Sequence, residues 1–78
     1  MSSEIERNLG EQPIASLLLE LGLKPHDLVA SSTEFITHKM VARACKGRRL
    51  TRNTQTKVLN ALNRATAKNF ALEDLFNY

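Results

Sequence analysis

Apolar residues recur along this chain at spacings of three and four, and strict alternation never lasts beyond a few positions. Ile14, Leu17, Leu18 and Leu21 stand at i, i+3, i+4 and i+7, the spacing that gathers side chains on one face of an α-helix. Pro13 suits the first turn of that helix, where its missing N–H costs nothing. Gly22 supplies a residue tolerant of the left-handed conformation at the far end, and Leu23 is placed for the apolar contact of a Schellman-type stop. Pro25 repeats the first-turn role for a shorter second helix anchored by Leu28 and Val29, with Asp27 favourable near its positive end. That helix should fade at Ser31 or Ser32, and the stretch 31–36 reads as a turn.

Thr37 is a good N-cap and Gly47 a good stop ten residues later, so a third helix is expected from His38 to Lys46. Met40, Val41, Ala44 and Cys45 share one of its faces, whereas His38, Lys39, Ala42, Arg43 and Lys46 lie mostly on the other. Thr51 caps a longer fourth helix with an inward stripe of Thr54 or Gln55, Val58, Leu59, Leu62 and Ala65. A short final helix begins near Leu72, anchored by Leu75 and Phe76, with Phe70 packing its approach. The cluster Phe70, Leu75 and Phe76 suits either a core or a two-fold contact. Ahead of all this, Ser3 and Glu6 could cap a helical turn, with a frayed arm as the alternative. The pattern therefore predicts an all-α domain of four to five helices over 12–78, preceded by an arm or short helix at 1–11.

Size narrows the function. A chain of 78 residues is one domain, with no room for a catalytic or small-molecule ligand domain beside a binding one. A domain of this size buries roughly 60% of its unfolded surface, so a homodimer would add useful stability. Cys45 is the single cysteine, which excludes an internal disulfide. Polar Ser2, Ser3, Glu4 and Glu6 do not resemble a secretion leader, and the longest apolar run, Ile14 to Leu19, is interrupted by Ser16 and falls far short of the ~20 residues of a membrane helix. A bacterial- or phage-type cytoplasmic protein close to the nucleoid, with no membrane partner, is expected. No paired carboxylates, no nucleophile beside a base and no phosphate-cradling glycine loop can be assembled, so an enzyme is the least expected class and no cofactor is assigned. His26, His38 and Cys45 make no metal set, and His26 reads as ordinary surface. Cys45 reads as a small buried hydrophobe against the fourth helix. A redox role would require it to be accessible, with Arg43 and Lys46 lowering its pKa.

Charge changes the picture most. The net charge is only +3, but none of the eight acidic residues falls between Phe35 and Leu72. That interval holds Lys39, Arg43, Lys46, Arg48, Arg49, Arg52, Lys57, Arg64 and Lys68, nine of the eleven basic residues. Such segregation makes one positive surface, the footprint of a phosphate-binding protein.

The run from Ile36 through Thr37, His38, Lys39, Met40, Val41, Ala42, Arg43, Ala44, Cys45, Lys46 and Gly47 to Arg48 and Arg49 resembles the second half of the helix-turn-helix in the lambda-repressor-like superfamily. The continuation from Arg49 to Leu62 is similar to the helix after recognition in lac-repressor-type headpieces, and Ala71 to Phe76 is similar to the fifth helix of phage-repressor and Cro-type (XRE) domains. The chain departs from the family at Val29, where a small residue is usual, and in a turn before Thr37 about two residues longer. The resemblance implies a DNA-binding transcription regulator whose helix 38–46 enters the major groove, with His38, Lys39 and Arg43 reading bases and Ala42 meeting a thymine methyl. Arg43 can donate two parallel hydrogen bonds to guanine O6 and N7. Thr37, Lys46, Arg48, Arg49, Thr51 and Arg52, with Lys57 beyond them, would hold phosphates and so position the helix. Neutralising about four phosphates per subunit would give a salt slope of about −3.6.

Two other classes fit the same surface. A non-specific or RNA-binding accessory protein would use the basic face without reading bases, although three Phe and one Tyr offer few rings for single-strand stacking. A protein-interaction bundle, adaptor-like or antitoxin-like, would set the face against an acidic partner.

Overall fold

The computed structural model describes residues 10–77, so the arm ahead of residue 10, with its Ser3 and Glu6 cap, lies outside the described residues. The protein is all-α, with five helices and no strand among the described residues.

Each helix starts and stops where local chemistry demands. Helix α1 (Pro13–Leu21) begins on its proline and ends at Gly22, whose φ of 69° is left-handed. The Leu23 N–H donates to the Leu18 carbonyl at 2.9 Å, the long bond of the Schellman stop. Helix α2 (Pro25–Ser31) is closed at its start by Asp27, whose Oδ2 accepts from the Lys24 N–H at 2.7 Å. Helix α3 (His38–Lys46) is capped by Thr37, whose Oγ1 accepts from the Met40 N–H at 3.1 Å. It stops at Gly47 (φ 88°), with the Arg48 N–H on the Arg43 carbonyl at 3.0 Å. Helix α4 (Arg52–Thr66) is capped by Thr51 through the Thr54 N–H at 3.2 Å. It ends on Ala67, which takes a left-handed φ of 57° without being glycine. Helix α5 (Leu72–Leu75) is a single turn in which Asp74 Oδ2 accepts from the Ala71 N–H at 2.8 Å.

Helix α4 is the central element and packs against α2, α3 and α5, while α1 covers α3 and α5. The core gathers Ile14 and Leu18 of α1, Leu28 of α2, Ile36 from the segment ahead of α3, Val41 and Ala44 of α3, Val58, Ala61 and Leu62 of α4, and Leu75 and Phe76. Of the expected stripe on α4, Gln55, Val58 and Leu62 are buried and Thr54, Leu59 and Ala65 half-buried, and Ala61 is buried in addition. Leu75 and Phe76 are core residues, and Phe70 packs half-buried against the core.

Two polar side chains hold the loops. Asn63 Oδ1 accepts from the Phe70 N–H at 2.7 Å and its Nδ2 donates to the Phe70 carbonyl at 3.1 Å, fixing the approach to α5. Gln12 is buried just ahead of α1. Its N–H donates to the Cys45 carbonyl at 3.1 Å, its Nε2 to the Gly10 carbonyl at 2.9 Å, and its Oε1 accepts from the Asn77 N–H at 2.7 Å. Gln12 thereby joins the end of α3 through its backbone and the end of the described chain through its side chain. No helix among the described residues is long and apolar enough to cross a membrane.

Candidate nucleic-acid interface

Helix α3 is pinned on one side and open on the other. Val41 and Ala44 are fully buried and Met40 and Cys45 are half-buried, which fixes its rotation about its own axis. The 100° step between residues then turns His38, Lys39, Arg43 and Lys46 into solvent, where all four are exposed, with half-buried Ala42 between them. Lys39, Ala42, Arg43 and Lys46 line a shallow groove of about 230 Å³, together with Arg48 from beyond the helix. Among the described residues no acidic side chain lines it. The left-handed turn at Gly47 carries the chain back so that Arg48 reaches the same groove, a grouping that sequence spacing alone does not show.

The remaining basic candidates spread away from this groove. Arg49 and Arg52 are exposed and Lys57 is half-buried on α4. Arg52 lines a second, larger groove of about 580 Å³ between α4 and α5, with Gln55, Leu72, Glu73, Phe76 and Asn77. Glu73 in that lining makes it electrically mixed. Thr37 and Thr51 both use their hydroxyl oxygens as caps, and the Thr51 hydroxyl also donates to Thr54 Oγ1 at 3.0 Å. With the oxygens held in the caps, a phosphate contact from either threonine would use its hydroxyl proton, which rotates to suit its acceptor.

The structure adds His26 to the region. Its ring lies 6.5 Å from that of His38, centroid to centroid and tilted by 41°, so the starts of α2 and α3 meet. Its Nε2 is also 3.4 Å from Asp27 Oδ1. The two histidines stand twelve positions apart in sequence, and only the packing of α2 on α3 brings them together. No local signal could have found the pair.

Cys45 differs from the redox reading. Burial pushes its thiol above the ordinary range, and the Glu11 carboxylate pushes it further in the same direction. These effects outweigh Arg43 and Lys46, so the group is a protonated thiol at neutral pH. Among the described residues no three His, Cys, Asp or Glu side chains gather in a metal-binding group.

Comparison of the chain with protein-family models, with curated proteins and with solved structures finds no match.

Proposed function

We propose that this chain is a sequence-specific, double-stranded-DNA-binding regulator of transcription that lays α3 in the major groove. The observation that carries the reading is the groove lined by Lys39, Ala42, Arg43, Lys46 and Arg48, cationic at every position but Ala42 and formed on a helix whose other side is locked into the core. A helix fits the major groove, where base edges present distinct donor and acceptor patterns. Arg43 supplies bidentate donation to guanine, Lys39 and His38 reach further acceptors, and Ala42 meets a thymine methyl. Lys46, Arg48 and Arg49 neutralise flanking phosphates, with Arg52 and Lys57 extending the positive field along α4. The reading includes a homodimer on a two-fold site in a cytoplasmic setting, and a helix-turn-helix of lambda-repressor-like kind formed by α2 and α3.

Selection of bound duplexes from a random pool, at stated salt and with the oligomeric state measured beside it, tests this reading. An enriched motif, two-fold if the protein is dimeric, is the expected result. Binding with no enrichment would replace it with a non-specific accessory role. Salt-sensitive capture of an acidic protein without duplex binding would replace it with a protein-interaction role.

A further inference from the structure

An exposed aromatic ring stands on a fixed segment just ahead of α3. Phe35 is 76% exposed, in contrast to its neighbour Ile36, which is buried in the core. The segment around it is tied on both sides. Ser32 Oγ donates to the Glu34 carbonyl at 2.8 Å and accepts from the Glu34 N–H at 3.0 Å, and Asn60 Nδ2 on α4 donates to Glu34 Oε1 at 3.2 Å. On the other side Thr37 is committed to the α3 cap. The backbone thus presents Phe35 in a set place, while the ring forgoes the stabilisation that burial of such a side chain supplies.

The charges nearest the ring in sequence point to its partner: Glu34 before it is held by Asn60 Nδ2, and the cationic helix follows it. Exposed His38 and Lys39 follow three and four residues later, at the start of the cationic helix. A partner that covers Phe35 must offer apolar surface embedded in a strongly anionic molecule. Duplex DNA has that combination in the deoxyribose faces and thymine methyls that lie between its phosphates.

We propose that Phe35 is an apolar DNA anchor, packing on the sugar and thymine-methyl edge of the duplex beside the N-terminal end of α3. The inference rests on the DNA-binding reading above and adds to it a contact that carries no charge. An apolar contact releases no counterions, so its loss changes affinity without changing the salt dependence.

The test is duplex titration of the full chain, as wild type, Phe35→Ala and Phe35→Leu, over a series of salt concentrations, with self-association and thermal stability measured in parallel. Phe35→Ala is expected to weaken binding about tenfold at every salt concentration with an unchanged log–log slope, and Phe35→Leu to recover most of that. Thermal stability should not move. An unchanged affinity, an altered salt slope, or a loss that follows a fall in self-association would overturn the proposal, the last by placing the ring between two copies of the chain. Failure of the wild type itself to bind duplex would remove the DNA reading together with the anchor. That result differs from the others because it precedes any substitution.

Discussion

The two ends of α3 are built by opposite means. At the start, a threonine three residues from the N–H it accepts closes the helix, and His38 and Lys39 stand in solvent. At the other end Gly47 is buried, a Cβ on it would overlap the backbone carbonyl of Gly10, and the Cys45 carbonyl takes the Gln12 N–H. Gln12 then reaches Asn77, near the end of the described chain. The first end is local and open, and the second is long-range and closed. A helix held firmly by its C-terminal end can offer its N-terminal end to a partner without further ordering, which lowers the entropic cost of binding.

The contrast can be broken most forcefully at Gly47. Gly47→Ala places a Cβ on a left-handed residue and into the Gly10 backbone, and should cost about 3 kcal/mol or more of unfolding free energy in urea denaturation. A cost of only about 1 kcal/mol, no more than a left-handed backbone alone imposes on alanine, would mean that the closed end is not tightly packed. Gln12→Ala comes next. It removes the acceptor for the Asn77 N–H and the donor to the Gly10 carbonyl, for an expected loss of about 1–3 kcal/mol, and hydrogen exchange at Asn77 should quicken. Thr37→Ala acts on the open end alone. It should cost about 1 kcal/mol and speed exchange at the Met40 N–H, leaving Asn77 protected.

The same contrast governs what could be read in advance. Pro13, Pro25, Gly22, Thr37, Gly47 and Thr51 mark helix ends through bonds spanning a few residues, and the structure uses each of them in that role. The outward set on α3 was legible because two core residues fix a helix's rotation. Gln12 carried no such signal, since its partners at Cys45 and Asn77 lie 33 and 65 residues away. Asn60 on Glu34 and His26 beside His38 are likewise products of packing. Ala67 gave no cue because alanine is not a residue that usually takes a left-handed stop. At the candidate site, periodicity placed Lys39, Ala42, Arg43 and Lys46 together. Only the fold adds Arg48 to them and sets Arg52 beside Glu73 in another groove.

The smallest expected effect lies at Cys45, next to the closed end. Its thiol is raised in the folded state by burial and then by Glu11, so the folded protein holds the proton more tightly than the unfolded chain. This contribution is fully present below the unfolded thiol's pKa and is lost as pH rises through the folded value. Denaturation midpoints of the wild type should therefore fall more steeply at alkaline pH than those of Cys45→Ala. Parallel curves would show that the thiol is not coupled to folding.

The central claim is that the open end and outer face of α3 read bases while the surrounding cations only position it. Titration of Arg43→Ala against a selected duplex and a random duplex of equal length, at one salt concentration, tests it most directly. The account predicts a loss of about 1–3 kcal/mol on the selected duplex, relaxed preference at one base position, and a clearly smaller loss on the random duplex. Equal losses on both would contradict it and reduce Arg43 to one more phosphate contact.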